Sequence, residues 1–400
     1  MQVATDPKKI DELLTRGVAE VIPENALRAK LLSGERLRVK LGIDPTSPNL
    51  HLGRSVPLLK LRDFQELGHQ IVFIVGDATG VIGDTSDKES ERPMLTSETV
   101  EVNKKAYFEQ VGKLIDLERA ELRYNSEWLN ALTYREIGEH ADVFSVADFI
   151  SRENIKKRLD AGKRVSLREV LYPLMQGYDS VAIKADVEIG GMDQKFNVLA
   201  GRPLQEHFGQ PPQHVVLGPL VEGLDGRKMS SSWGNTINFL DEPFDMFGKV
   251  MSVRDELVPR YFKVFTRTPL DEVRSMALSL DSGEMHPKDA KMRLAREIVT
   301  MYHSKEDAEQ AQEKFVATFA EGGVPEEIAV ALVASGTPLI DALVASGVVS
   351  SKSEARRLIE GGAVSLPLAG NEKITDITTR VDRELTLRVG KKRFVRFEIA

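Results

Sequence analysis

The sequence predicts an α/β architecture: a parallel-sheet domain carrying a helical insertion, then an α-helical region, then a small α+β domain. Three observations point there. A strand, a proline-marked turn, a helix and a second strand follow one another over residues 37–75. Strand alternation disappears between Glu242 and Phe319, and short alternating segments return after a break at Glu321-Gly322-Gly323-Val324-Pro325. The 400 residues suit two or three domains of ordinary size. We expect residues 1–225 to form the sheet domain with its insertion at about 95–186, residues 226–320 the helical region, 321–336 a linker and 337–400 the last domain.

The first element is a helix that Asp6 caps, with Pro7 in its first turn and Ile10, Leu13, Leu14 and Val18 on one face. Residues 37–43 alternate as a strand, which Pro45 and Pro48 in the next turn cannot extend. A helix begins near His51, with Leu52, Leu59, Phe64 and Leu67 available for burial, and Ile71-Val72-Phe73-Ile74-Val75 reads as a strand covered on both faces. This β-α-β unit predicts a sheet of nucleotide-binding type. No G-x-G-x-x-G follows a strand, so an ordinary dinucleotide site is not expected. Strands at 187–190 and 215–220 bracket a helix from about 193 to 208, the second half of the sheet. After the break, residues 338–346 form a short helix ended by Gly347. Another starts at Ser351, whose hydroxyl caps it while Glu354 reaches back, and Gly361-Gly362 stops it.

Composition narrows the functional classes. Hydrophobic residues make up 42% and charged residues 29%, ordinary for a globular chain. There is no cysteine, which excludes disulfides, thiolate metal sites and a cysteine nucleophile. The longest apolar run, residues 328–334, is far short of a membrane helix, and the first helix lacks the apolar centre of a signal peptide. The expected location is the cytoplasm. The net charge of −7 is uneven: residues 351–400 hold 11 Lys or Arg against 7 Asp or Glu, a basic tail of +4 on a body of −11.

Two segments can carry chemistry. His51-Leu52-Gly53-Arg54 opens a helix, where unpaired N–H groups and a partial positive charge favour an anion and Gly53 permits close approach. A structural histidine before a helix is the alternative. Gly226-Arg227-Lys228-Met229-Ser230-Ser231-Ser232 follows the last core strand and offers cations and hydroxyls to a triphosphate, unless it is only a solvated serine-rich loop. Ser166-Leu167-Arg168-Glu169 reads as a capping box, and the helix it opens sets Tyr172, Gln176 and Asp179 on one stripe, beside Leu171, Met175, Tyr178 and Ala182. That polar stripe suits a pocket for an ammonium and a phenol, or an ordinary solvated face.

Together the first two segments resemble the HIGH and KMSKS signatures of class I aminoacyl-tRNA synthetases. Gly42-Ile43-Asp44-Pro45-Thr46, residues 76–84, and Gly190-Gly191-Met192-Asp193-Gln194 make most of the chain similar to the bacterial tyrosyl-tRNA synthetases. The resemblance implies a Rossmann-type catalytic domain that activates tyrosine with ATP, with Mg²⁺ bridging the phosphates, and then esterifies tRNA(Tyr). It implies Lys40, Thr79, Asp84, Asn125, Tyr172, Gln176, Asp179 and Gln194 around tyrosine. ATP would meet Asp44, Thr46, His51, Gly53, Lys228, Met229, Ser230 and Ser231. His51, Arg54, Lys228, Lys88 and Arg92 would stabilise charge in the transition state, and no metal ligands of the protein are implied.

Three positions depart from the family pattern. Arg54 stands for the second histidine of HIGH, Ser231 for the second lysine of KMSKS, and Lys40 for a tyrosine that touches the substrate phenol in many relatives. The last 60 or so residues resemble the alpha-L RNA-binding motif, with Arg356, Arg357, Lys391, Lys392, Arg393 and Arg396 facing phosphates. The family is homodimeric, which we carry over as an expectation, and no membrane partner is expected. Two alternatives stand: a tryptophanyl-tRNA synthetase, which shares the sheet and both signatures, and a synthetase-derived RNA-binding protein without activity.

Overall fold

A six-stranded sheet organises the first half of the chain, in the order β1 (Glu20–Ile22), β6 (His214–Gly218), β5 (Val187–Gly191), β2 (Arg38–Ile43), β3 (Gln70–Val75) and β4 (Ala120–Tyr124). The computed structural model describes all residues except 1, 85–94, 321–327, 368–371, 391–392 and 400. The chain divides into two units, Met1–Ala308 and Glu309–Ala400.

Strands β2 to β6 are parallel, and β1 runs antiparallel along β6. Residues 71–75 of β3 have no exposed surface, as their unbroken apolar run requires. The predicted β-α-β unit is present: α3 (Leu52–Glu66) carries the chain from β2 to its neighbour β3. The chain then adds β4 on the same side and returns to place β5 on the other side of β2. The sheet order therefore reverses between β2 and β5, and a crevice opens at their carboxyl ends, where open α/β sheets bind ligands.

The other helices of this half are α1 (Pro7–Thr15), α2 (Ala26–Leu32), α4 (Asp77–Ile82), α5 (Ser97–Gly112), α6 (Ser126–Leu129), α7 (Tyr134–Ala141), α8 (Val146–Ile150), α9 (Glu153–Asp160), α10 (Leu167–Ile183), α11 (Lys195–Leu199) and α12 (Gly201–His207). Asp6 caps α1 through Lys8 and Lys9, but the helix ends at Thr15, so Val18 lies beyond it. At α10 the capping box is complete, and Glu169 also pairs with Arg158 of α9 at 2.5 Å, both side chains buried. Helices α13 (Pro243–Met251), α14 (Val258–Phe265), α15 (Leu270–Asp281) and α16 (Pro287–Tyr302) build the helical region. Then α17 (Lys305–Phe315) leads out of the first unit.

Several elements differ from the sequence reading. β4 lies inside the stretch read as mainly helical; its Glu121 and Arg123 are half-buried at the sheet edge, which hides the apolar signature of a strand. β1 is three residues long and was not foreseen. The helix expected at 193–208 is broken into a single-turn Met192–Gln194, α11 and α12, with the junction at Ala200 and Gly201. A Cβ at Gly201 would stand 2.6 Å from the Gln213 amide and 3.0 Å from the Ser180 hydroxyl. These contacts require glycine there, and the helix is interrupted because Pro203 has no N–H to give the Leu199 carbonyl.

In the second unit, α18 (Leu339–Ala345) and α19 (Lys352–Glu360) share a core with a sheet. Its strands are β7 (Ala329–Val333), β9 (Val364–Leu366), β10 (Glu372–Ile374), β12 (Leu385–Val389) and β13 (Arg393–Ile399), in the order β10-β9-β12-β13-β7. β8 (Thr337–Pro338) and β11 (Arg380–Val381) form a separate pair. β7 lies in the stretch expected to be linker; it pairs parallel with β13 and buries Val333, so its apolar run serves a sheet edge. Ser351 caps α19, while Glu354 accepts from the N–H and hydroxyl of Ser350, one residue earlier than a capping box requires.

Candidate active site

The crevice holds a cavity of about 410 Å³ whose walls come from the carboxyl ends of β2 and β5, the start of α3, one stripe of α10 and residues 228–232. At one end lies a chain of buried polar groups. Asp44, just past β2, accepts from the Thr79 hydroxyl at 2.7 Å and the Tyr172 hydroxyl at 2.8 Å. Asn125 donates to Thr79 Oγ1 at 2.9 Å and to Asp179 at 3.4 Å, and the Trp128 indole donates to Asp179 at 2.8 Å. Gly76 makes this packing possible: a Cβ there would fall 2.1 Å from Asp44 Oδ1 and 2.3 Å from Thr79 Oγ1.

Burial pushes the Asp44 carboxyl up to about 6, against the hydrogen bonds from Thr79 and Tyr172 and with nearby Asp84 adding to the rise. Asp179 is pushed up to about 7 by burial, opposed by Lys40, Trp128 and Asn125. Burial also drives Tyr172 well above the usual phenol range, so it is a hydrogen-bond donor at any working pH. Asp84 lines the cavity and accepts from Gln194 at 2.7 Å. The stripe of α10 thus sets the Tyr172 hydroxyl and the Gln176 amide on the cavity wall with the Asp179 carboxyl just behind it, groups complementary to an ammonium and a hydroxyl.

At the other end α3 begins. His51 is its N-cap without a side-chain cap bond, and its Nδ1 has no hydrogen-bond partner among the described residues. Burial, with Arg54 and Lys228 adding repulsion, lowers His51 to about 3, so the imidazole is neutral at neutral pH. A Cβ on Gly53 would lie 3.0 Å from that ring, so glycine leaves both the imidazole and the helix end open. The Gly53 N–H donates to the Met229 sulfur at 3.1 Å, a weak acceptor that an oxygen ligand displaces readily. Backbone bonds Leu52 N to Ile237 O and Phe239 N to Leu50 O, each 2.9 Å, tie the segment after the Lys228 loop to the start of α3. The two motifs, distant in sequence, therefore face one cavity. Lys228 reaches across to Asp193 at 2.8 Å.

The structure places the sequence-predicted residues in distinct groups. Asp44, Thr46, His51, Gly53, Arg54, Asp84, Tyr172, Gln176, Gln194, Lys228, Met229, Ser230 and Ser231 line the cavity. Thr79, Asn125 and Asp179 stand behind the wall in the polar chain. Lys40 is a correction. It was expected against tyrosine, yet its side chain is fully buried and its ammonium is spent on Glu188, the Ser180 hydroxyl and the Gln176 carbonyl. Lys88 and Arg92 lie outside the described residues, as do Lys391 and Lys392. In the second unit, Arg356, Arg357 and Arg396 are exposed. Arg393, partly exposed, pairs with Glu354 at 2.9 Å and donates to the Val348 carbonyl, fastening β13 to α19.

Trp128 and Asp193 were missed. Asp193 sits within the Gly-Gly-Met-Asp-Gln segment and could have been found there; no local pattern marks Trp128, which matters only because α6 faces α10.

The sheet order, the crevice and the paired loops define a class I tRNA synthetase, and the family model "tRNA synthetases class I (W and Y)" matches residues 32–320. A second model, "Tyrosine--tRNA ligase SYY-like C-terminal domain", matches residues 319–396. Tyrosine-tRNA ligases of Carboxydothermus hydrogenoformans and Oleidesulfovibrio alaskensis are 45% and 47% identical, each alignment covering 96% of this chain, and 96% and 97% of theirs. That of Thermotoga maritima is 44% identical over 98% of this chain and 97% of its own. Among solved structures, the tyrosyl-tRNA synthetase of Archaeoglobus fulgidus complexed with L-tyrosine shares the fold, with a TM-score of 0.61 at 24% identity over 77% of this chain and all of its own. The C-terminally truncated mitochondrial tyrosyl-tRNA synthetase of Aspergillus nidulans gives 0.64 at 22%, over 78% of this chain and 94% of the truncated one. The chain belongs to the tyrosine-tRNA ligase family.

Proposed function

We propose that this chain condenses L-tyrosine with ATP to tyrosyl-AMP and pyrophosphate, and then transfers the tyrosyl group to the 3′-terminal adenosine of tRNA(Tyr). One observation carries the reading: a single cavity joins the helix start at His51 and the Lys228 loop at one end to a pocket lined by Asp44, Asp84, Tyr172 and Gln176 at the other. In the first step a tyrosine carboxylate oxygen bonds to the α-phosphorus, the bond from that phosphorus to the bridging oxygen breaks, and pyrophosphate leaves with the electron pair. The nucleophile is already ionised, so no general base is required. Catalysis falls to positioning and charge stabilisation. Neutral His51 donates one N–H to a phosphate oxygen, the Gly53 N–H exchanges sulfur for an ATP oxygen, and Lys228 leaves Asp193 to follow charge onto pyrophosphate.

Tyr172, Gln176 and Asp84 suit the substrate ammonium; Asp44, which the resemblance set beside ATP, is reassigned to the ammonium because it accepts from Tyr172, and Asp179, oriented by Asn125 and Trp128, suits the phenol. Lys88 and Arg92 remain assigned to pyrophosphate by resemblance. No three His, Asp or Glu side chains converge as metal ligands among the described residues. Mg²⁺ would accordingly be held mainly by ATP, whose phosphate charge it offsets. In the second unit Arg356, Arg357 and Arg396 are exposed cations that can meet RNA phosphates, which supply salt-dependent affinity.

The test is pyrophosphate exchange measured with tyrosine and with tryptophan. Tyrosine alone should support it, and exchange with neither amino acid would refute an active ligase. Among the described residues no helix is long and apolar enough to cross a membrane. We assign the chain to the cytoplasm and to a homodimer, the latter supported by Tyr134, Val146 and Leu167, apolar side chains at least 70% exposed on the insertion helices. A single-chain mass in sedimentation would remove the dimer.

The raised carboxyls predict a pH dependence. Asp44 and Asp179 hold protons at pH values where the unfolded chain has released them, so their contribution to stability declines from about pH 4 to 7. Asp84, Tyr172, Arg54, Lys40 and Glu188 are the charged or titratable groups facing them. The substrate ammonium favours ionised Asp44, and the phenol O–H favours ionised Asp179 as its acceptor. KM for tyrosine should therefore fall as pH rises from about 5.5 to 8, by up to about tenfold per unit below the midpoint, while KM for ATP stays level. A flat tyrosine KM across that range would contradict the assignment.

A further inference from the structure

Beneath the cavity, β2 and β5 bring Lys40 and Glu188 together as direct register partners, at the point where the sheet order reverses. Their side chains are 0% and 1% exposed and their charged ends lie 3.0 Å apart. Each ammonium hydrogen has its own acceptor: Glu188 Oε1, Ser180 Oγ at 2.8 Å and the Gln176 carbonyl at 2.9 Å. Glu188 is equally committed. Its Oε1 also accepts from the Gln176 side-chain amide at 3.1 Å, and its Oε2 accepts from Ser180 at 3.1 Å and from Gln213. Gly201 leaves the room that Gln213 and Ser180 occupy.

Stability alone does not account for such a pair, because replacing a buried ion pair with apolar side chains of similar volume is often neutral or favourable. The geometry supplies another role. An ionised carboxylate only accepts, so Gln176 must turn its NH₂ to Glu188, which directs its Oε1 away from that residue; Gln176 lines the cavity. With the opposite amide orientation Gln176 would repel an ammonium.

We propose that the Lys40–Glu188 pair is a positioning element for the amino group of the tyrosine substrate: Glu188 fixes the Gln176 amide with its oxygen toward the cavity, and Lys40 fixes Glu188. Lys40 thus serves the pocket from below without touching the amino acid. This rests on the tyrosine-pocket reading above. Absence of tyrosine-dependent exchange in the unaltered chain would overturn that reading, and the pair's role with it, before any variant is compared.

The test uses the full-length chain and the double variant Lys40→Met/Glu188→Met, which removes both charges at once and so leaves no unpaired buried ion. The readouts are KM for tyrosine, KM for ATP, and Ki for 3-(4-hydroxyphenyl)propanoate, a competitor that keeps phenol and carboxylate but lacks the amino group. The expected result is a rise of about tenfold or more in KM for tyrosine, with KM for ATP and Ki for the competitor within about twofold. A merely structural pair would weaken tyrosine and competitor alike. That outcome, or no change in either, overturns the proposal. Should the double variant not fold, Glu188→Gln is measured in its place. It keeps the volume and can face Gln176 with either end of its own amide, so the same selective rise, of about threefold, is expected, and a parallel rise or none is again refuting.

Discussion

Replacing His51 or Lys228 with alanine should lower the rate of tyrosine-dependent pyrophosphate exchange by about 10²–10³-fold, the usual consequence of deleting one donor aimed at charge that develops in the transition state. Neither change should cost much stability. His51 makes no side-chain cap bond and its Nδ1 has no partner among the described residues, so truncation removes no internal hydrogen bond. The Lys228 pair with Asp193 is more than one-fifth exposed on both sides and screened by solvent, so its loss costs little. The fall should appear in the rate more than in KM for tyrosine, whose pocket lies at the far end of the cavity. The double variant should be little worse than either single one if both groups serve the same charge. Exchange close to the parent rate in both single variants, with melting temperatures unchanged, would remove them from the mechanism.

The second large effect is expected from the smallest substitution. Gly76→Ala places a methyl group within 2.1 Å of Asp44 Oδ1 and 2.3 Å of Thr79 Oγ1, far inside van der Waals contact, and neither atom belongs to a long flexible side chain that could swing aside. The Asp44 to Thr79 hydrogen bond must break, and Asp44 must withdraw from the position in which Tyr172 holds it. Leaving a buried carboxylate short of a donor costs about 1–3 kcal/mol, which should show as a melting temperature lower by several degrees. KM for tyrosine should rise by about 10²-fold, since the carboxylate best placed for the ammonium has moved. A variant with parent KM and parent melting temperature would mean that the space around Gly76 is not as tight as these contacts require.

Much of the fold could be read in advance because its signals are local. The strand at 37–43, its proline-marked turn, the helix after His51 and the apolar run at 71–75 each announce themselves within ten or so residues, and they recur as β2, α3 and β3. The capping box at Ser166 is equally local. Elements whose burial is one-sided or supplied from afar were lost. β4 carries Glu121 and Arg123 because it closes the sheet edge, and β7 resembles a linker until β13 pairs with it. The break in the helix expected at 193–208 has a local cause instead: Pro203 lacks the N–H that the Leu199 carbonyl would accept.

The same division runs through the site. By itself the sequence determined which residue types could meet a phosphate, an ammonium or a phenol, since the helix start at His51, the Lys228 loop and the stripe of Tyr172, Gln176 and Asp179 are set by adjacency and helical period. Only the tertiary structure decided what each charge does. It sent Lys40 into Glu188, gave Arg393 to Glu354, set Trp128 on Asp179 and Asp193 on Lys228. The physical reason is range: periodicity and capping act over a few residues along the chain, whereas a buried ion or hydrogen-bond donor is satisfied by whichever acceptor the packing brings within about 3 Å, wherever in the sequence that acceptor lies.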